Sequence, residues 1–377
     1  MRPFDRPRTV ALVLGLLLAV GGGALAAFAP GPPVYVPVAP GAAPNAPRLK
    51  YLFALPEPGD APLQRPVGVA VGGGRLYVTD SGAGLVRSFS TAGPDAGDIG
   101  ADVLDVPAYV AKDPLDGSLL VSDRARKALY RFDTSGELLG EVRPSGEATG
   151  AWEPLGVAAD GEGAIAVTDA SARHRVVVMD EAGEVSLTLG GEGIPAGEVA
   201  VSLEFPNTVA FNADELWIGD SNNRRVLVFD REGGLLRLAR VSGVARGLAF
   251  VSDGDLTHAA VVDALTSEIV LLDAEGGEAA RFGGPGSAPG QLAYPNDVAF
   301  EPGTRRLYVA DTGNARVQVW EAVPAEEAEE DLGTGDRGPS VSAMRMAGLI
   351  ALAIGALVAA VAVWPYRRSR GTEVAPG

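Results

Sequence analysis

The sequence predicts an all-β protein, a six-bladed β-propeller with four-stranded antiparallel blades, flanked by an N-terminal hydrophobic segment and a C-terminal transmembrane helix. Two observations lead to the propeller. A unit of three short apolar runs recurs six times, and an aspartate closes the second run of each copy: Asp80, Asp123, Asp169, Asp220, Asp263 and Asp311. Their spacings of 43, 46, 51, 43 and 48 residues are the length that a four-stranded blade needs. The runs themselves are short and rich in valine, leucine and aromatics, which is a strand signature with no room for a helix. Of the 377 residues 47% are hydrophobic, enough for a sizeable core, and the 50 glycines and 28 prolines are spread as turn punctuation.

Within a unit the elements follow in order. Pro66, Pro107, Pro154, Pro206 and Pro295 stand just before the first strand, where a missing N–H is harmless, and Ala245 takes that place in the fifth copy. After the second strand, runs such as Asp220-Ser221-Asn222-Asn223 supply turn chemistry. A third strand follows at residues 225–230, and Gly233-Gly234 leads into a fourth at 235–238. The sixth copy runs out after Trp320 without a fourth strand, whereas residues 50–55 stand alone before the first copy. That N-terminal strand is expected to complete blade six and close the ring, leaving no blade edge open.

These residues resemble the NHL repeat family of six-bladed β-propellers. The matching pieces in the sixth copy are Pro295-x-x-Val298-Ala299-Phe300, then Leu307-Tyr308-Val309-Ala310-Asp311-Thr312-Gly313-Asn314, then Arg316-Val317-Gln318-Val319-Trp320. The resemblance covers residues 49–322, is strong in the first, third, fourth and sixth copies, and is weak in the fifth. It implies an architecture, and a membrane-anchored form outside the cell looks like the sensor portions of some bacterial transmembrane kinases, without any kinase sequence here. Members of one fold differ in function, so the site has to carry that argument.

The two ends predict a membrane protein. Arg2, Arg6 and Arg8 precede an uncharged run from Thr9 to Ala29, which reads either as a cleaved signal peptide or as an N-terminal anchor, over residues 1–29. Residues 30–48 form a linker with seven prolines from Pro30 to Pro47, extended enough to span about 50 Å. The propeller occupies 49–322, and an acidic spacer with Glu326, Glu327, Glu329, Glu330 and Asp331 occupies 323–343. Residues 344–366 contain an uncharged run from Met346 to Trp364 and predict a transmembrane helix. Arg367, Arg368 and Arg370 open a short tail, 367–377, which the positive-inside tendency places in the cytoplasm. Both ends therefore place the propeller on the extracytoplasmic side of the cell membrane, with the bilayer as one partner.

The formal net charge is −17, concentrated in the propeller, and such a surface repels phosphate backbones, so nucleic acid is not an expected partner. With no cysteine in the chain, disulfides, thiolate metal sites and cysteine nucleophiles are excluded. The residues that follow the proline position differ among copies and mark the expected channel mouth. Asn207, Arg246, Asn296 and Asp297 gather on the fourth, fifth and sixth copies, with Tyr109 across the channel. They offer an amide, a guanidinium and a carboxylate to one small ligand or peptide end.

Enzyme readings are weighed against specific residues. Peptide-amidating lyases resemble this propeller and use histidine-bound zinc, but the only histidines, His174 and His258, fall in different copies without metal-ligand spacing. Gluconolactonase-like propellers use carboxylate and asparagine groups on a divalent cation, for which Asn207, Asn296 and Asp297 are a partial match. The six recurring aspartates read as backbone caps rather than six ion sites, and Arg175, Arg225 and Arg316 as blade-turn residues. The expected function is thus a protein- or ligand-binding or scaffold module of the cell envelope that needs no cofactor and has no catalytic residues. A cation-dependent hydrolase at the channel mouth is the alternative.

Overall fold

In the computed structural model the described residues are 46–57, 61–91, 97–146, 151–191, 202–253, 256–325 and 327. The chain divides into two compact units, residues 1–325 and 326–377, and the propeller lies in the first. The expected leader at 1–29, most of the proline-rich linker, nearly all of the acidic spacer, the transmembrane helix at 344–366 and the tail lie outside the described residues. Among the described residues no helix is long and apolar enough to cross a membrane.

Among the described residues, twenty-four strands form six separate four-stranded sheets. β1 (Arg48–Leu55) comes first, and blade one follows as β2 (Pro66–Gly72), β3 (Arg75–Asp80), β4 (Leu85–Ser90) and β5 (Gly97–Ile99). Blade two is β6 (Pro107–Lys112), β7 (Leu119–Asp123), β8 (Ala128–Phe132) and β9 (Leu138–Val142). Blade three is β10 (Pro154–Ala159), β11 (Ile165–Asp169), β12 (Arg175–Met179) and β13 (Val185–Gly190). Blade four is β14 (Pro206–Asn212), β15 (Glu215–Asp220), β16 (Arg225–Asp230) and β17 (Leu235–Arg240). Blade five is β18 (Ala245–Asp253), β19 (Leu256–Asp263), β20 (Glu268–Leu272) and β21 (Glu278–Gly283). Blade six is β22 (Val298–Glu301), β23 (Arg306–Asp311) and β24 (Arg316–Val323), with β1 as its outermost strand.

β1 lies antiparallel to β24 from Arg48↔Val323 to Leu55↔Val317, so the ring closes as the sequence predicts. The closure reaches one residue beyond the expected domain at each end, because Arg48 and Val323 pair with each other. Burial follows distance from the axis. Second strands such as β7 and β11 are buried along their whole length, whereas the outer strand β9 is exposed over most of its length and β17 alternates toward solvent. The apolar cores lie between blades: Leu76 and Val78 of blade one pack with Tyr308 and Val317 of blade six, and Ala166 and Val176 of blade three with Ile218 and Leu227 of blade four. Each sheet buries both faces against its neighbours, which is why both faces of the inner strands read as apolar.

The six aspartates hold the blades' inner corners. Asp80 accepts from the Gln64 and Arg65 N–H groups at 2.9 and 2.7 Å, and Asp263 accepts from Gly243, Val244, Leu265 and Thr266. Arg175, Arg225 and Arg316 do not form an open basic patch, since their Nε atoms bind Asp169, Asp220 and Asp311 at 2.8, 2.7 and 2.7 Å. A second set, Asp133, Asp180, Asp230 and Asp273, caps the outer hairpins by accepting the N–H four residues on. Much of the acidic composition is therefore turn chemistry.

Inner strands approach one another closely in pairs. A Cβ on Gly156 would stand 2.4 Å from the Asn207 carbonyl oxygen and 2.9 Å from Thr208 Cα, and Gly68 and Gly247 meet blades two and six in the same way. Gly156→Ala is expected to destabilise the protein by about 1–3 kcal/mol through overpacking, measured by urea unfolding. An unchanged midpoint would show that blades three and four separate freely at this level.

Candidate functional site

Each first strand carries an irregularity just after the proline position. Register shifts fall between Pro66 and Val69, Pro107 and Val110, Pro154 and Val157, Pro206 and Thr208, and Ala245 and Gly247. In blade six Asn296 and Asp297 take this place, which is why β22 begins only at Val298. A bulge frees backbone groups from the ladder and re-aims side chains. Those groups have to find partners elsewhere.

Blades one to three use a hydroxyl on the second strand for this. The Gly68 N–H donates to Thr79 Oγ1 at 2.7 Å, and that hydroxyl donates to the Ala108 carbonyl of blade two at 2.7 Å. The Tyr109 N–H donates to Ser122 Oγ at 3.0 Å, and Ser122 reaches the Leu155 carbonyl of blade three at 2.6 Å. Thr168 Oγ1 accepts from the Gly156 N–H at 2.7 Å. In blades four to six the same position holds Gly219, Val262 and Ala310, which have no hydroxyl. Polar groups come instead from the first strands, as Asn207, Arg246, Asn296 and Asp297. The sequence reading missed this exchange, although aligning the residue before each aspartate reveals it.

Four of the five expected site residues join one network. Tyr109 Oη of blade two donates to the Arg246 carbonyl of blade five at 2.9 Å, and these blades face each other across the six-membered ring. Arg246 Nη1 donates to Asn296 Oδ1 at 3.3 Å, and Asn296 Nδ2 donates to the Val67 carbonyl of blade one at 3.1 Å. Asp297 Oδ2 accepts from the Val69 N–H at 2.9 Å, and Thr312 Oγ1 donates to the Pro66 carbonyl at 2.7 Å. Asn296, Asp297 and Thr312 thus fasten blade six to blade one, a structural role that the sequence reading did not assign. Asn207 stands apart from this network: its Nδ2 donates to the Phe205 carbonyl at 3.4 Å. Two buried atoms, Asn207 Oδ1 and Arg246 Nε, have no hydrogen-bond partner.

Beneath this ring lies the central channel, a cavity of about 300 Å³ lined by all six inner strands. Tyr109, Thr208 and Asp297 form its ceiling, and Lys112, Phe211 and Phe300 lie toward the opposite end of the strands. The Tyr109 phenol, bonded to the Arg246 carbonyl, spans from blade two to blade five at this ceiling, and Asn207, Arg246 and Asn296 are not among the residues that line the cavity.

Burial raises the Asp297 carboxyl to about 8, against the opposing pull of the Val69 and Val298 N–H groups. Burial also lifts the Tyr109 phenol well above its ordinary value, reinforced by Asp297 and opposed by Arg246, Asn296 and Arg124. Around neutrality Asp297 therefore keeps its proton, and it acts as a hydrogen-bonding carboxylic acid rather than a base. Its pKa in the folded chain exceeds the unfolded value of roughly 4, so its contribution to stability is full below about pH 4 and is lost as pH rises toward about 8. Asp297→Asn is expected to gain on the wild type by roughly 1.4 kcal/mol per pH unit inside that window, read by urea unfolding at pH 5, 7 and 9. A constant gap across those pH values would refute the assignment.

The donor set does not suit a divalent cation. Such an ion collects several oxygens, usually with more than one anionic group. Here the one carboxyl is bonded to the Val69 N–H, and a guanidinium sits on Asn296 Oδ1. Among the described residues no three histidine, aspartate or glutamate side chains are grouped to hold a metal. His174 lies in the β11–β12 turn with its ring 5.9 Å from that of Phe205, whereas His258 is buried in β19.

The NHL repeat family matches residues 292–320, the sixth copy of the unit. The chain thus carries an NHL repeat within a six-bladed β-propeller. No curated protein matches its sequence. Among solved structures, it is similar to a gluconolactonase from Xanthomonas campestris at 18% identity, with 78% of this chain and 99% of that one covered and a TM-score of 0.55. It is also similar to an auxiliary nutrient binding protein from Bacteroides thetaiotaomicron, at 12% identity, 69% of each chain and a TM-score of 0.54. A streptogramin B lyase aligns at 14% identity over 73% of this chain and 98% of that one, with a TM-score of 0.52. At such identities the likeness is one of fold.

Proposed function

We propose that this protein is a binding module of the cell envelope, whose propeller stands on the extracytoplasmic side of the membrane and receives a small ligand or the end of a partner protein at the channel mouth. The observation that carries the reading is the pair of unpartnered buried atoms, Asn207 Oδ1 and Arg246 Nε, in a ring whose other polar groups fasten blades together. An unmade hydrogen bond in a buried place costs about 1–3 kcal/mol, which a suitable ligand recovers. The membrane part rests on the uncharged run from Met346 to Trp364 before Arg367, Arg368 and Arg370, and on Arg2, Arg6 and Arg8 before the N-terminal run.

The absence of cysteine makes the sidedness directly testable. A single Leu139→Cys substitution, at a position 55% exposed on β9, is expected to react with a membrane-impermeant maleimide in intact cells. Labelling only after lysis would overturn the placement. Lactone and ester hydrolysis by the full chain, assayed with and without divalent cations, is expected to stay at background. Cation-dependent turnover abolished by Asn207→Ala would replace the binding reading with a hydrolase.

A further inference from the structure

We propose that the channel mouth receives a carboxylate with an N–H or O–H donor close by, the chemistry shared by a free peptide C-terminus and a small N-acyl amino acid or hydroxy acid. This rests on the reading of the mouth as a binding site and names what it binds.

The argument begins with charge. Several part-buried arginines of the propeller face carboxylates: Arg131 meets Asp113 and Asp116 at 3.1 Å, and Arg281 meets Glu268 at 2.7 Å. Arg246 meets none among the described residues, and its Nη1 donates to an amide oxygen. The carboxyl in the same ring, Asp297, is turned to the Val69 N–H of blade one. Its raised pKa means that it does not cancel the guanidinium near neutrality. A second guanidinium, Arg124, acts on the same Tyr109 phenol. In a chain of net charge −17, the Arg246 guanidinium thus stands beside an amide oxygen where a carboxylate partner is missing among the described residues.

Geometry then narrows the anion. With Nη1 on Asn296, the remaining edge of Arg246 runs from Nε to Nη2, and Nε is buried and unpartnered. Two parallel N–H groups along one guanidinium edge match the two oxygens of a carboxylate. Asn207 contributes the opposite requirement. It is only 1% exposed, and its Oδ1 needs a donor. A fully ionised phosphate has no donor to offer that acceptor, whereas a carboxylate next to an amide N–H or a hydroxyl serves both atoms. The Tyr109 bridge limits depth, so the group that enters is a chain end or a small acid held at the mouth.

The test uses the full chain in detergent and a fluorescent pentapeptide with a free C-terminus, its C-terminal amide, N-acetylalanine and lactate. The free peptide is expected to bind at least tenfold more tightly than the amide, and Arg246→Lys, which keeps the charge but loses the fork, is expected to remove that preference. Competition by N-acetylalanine or lactate distinguishes a small acid from a peptide end as the better-fitting source. Absence of carboxylate binding up to ~10 mM overturns the inference. Equal binding of acid and amide that is lost in Asn207→Ala also overturns it, while leaving the mouth as a binding site. Acid binding that ignores both Arg246→Lys and Asn207→Ala overturns the inference and the mouth assignment together.

Discussion

Asp311→Ala is expected to lower the unfolding free energy by about 3–5 kcal/mol, the loss that follows when one partner of a buried ion pair is removed. Asp311 is fully buried and closes β23. Its Oδ1 accepts from the Ala293 N–H at 2.7 Å, and its Oδ2 accepts from Asn314 Nδ2, Arg316 Nε and Gln318 Nε2 at 2.8, 2.7 and 2.9 Å. Alanine would strand the Ala293 N–H and the Arg316 Nε and remove the counter-charge of that guanidinium, while Asn314 Nδ2 keeps the Gly286 carbonyl, Gln318 Nε2 the Gln291 carbonyl and Arg316 Nη2 the Ala288 and Gln291 carbonyls. Adding Arg316→Met should recover part of the loss, because the stranded charge is then gone. Urea unfolding of the two variants measures both effects. A loss below about 1 kcal/mol for the single variant would mean that the donors find other partners.

Deletion of β1 is expected to do more damage than any single substitution. β1 supplies the outer edge of blade six through its pairing with β24, and it buries Leu49 against a core that includes Trp320 and Ala322. Tyr51 stands edge-on to Trp320, with ring centroids 5.9 Å apart at 89°. Without β1 the apolar edge of β24 is open to pairing with other chains. Protein lacking residues 1–56 is expected to associate on size exclusion and to unfold at markedly lower urea. A peptide spanning residues 46–57 should restore both properties by adding back the strand. Monomeric, fully stable protein after the deletion would show that the ring closes without it.

The fold was legible because it repeats. Six aspartates, five prolines and the short apolar runs are backbone requirements that nearly every blade meets separately, so each copy reports on the others. Ring closure was legible for the same reason: one blade lacked a strand and one strand lacked a blade. The mouth was legible only as a departure from the repeat. Asn296 and Asp297 stood out, with Asn207 and Arg246, as polar residues where the first three copies carry none of these types, but their bonds to Val67 and Val69 cross from the last blade to the first, more than 220 positions away in sequence. No local pattern encodes that contact. The pairing of Tyr109 with a backbone carbonyl rather than a side chain was hidden for a related reason, since every residue carries such a carbonyl.

The position of the closing strand also sets how the propeller responds to load. Arg48 and Val323, the first residue of β1 and the last of β24, lie opposite each other, so the chain enters and leaves the propeller at neighbouring points on one blade. Tension between those two points would act across the ladder rather than along it. The Arg48↔Val323 pair would part first, and the seam would unzip one pairing at a time toward Leu55↔Val317. A propeller tethered through both ends would therefore open mechanically at blade six, the blade whose Asn296 and Asp297 bond to blade one.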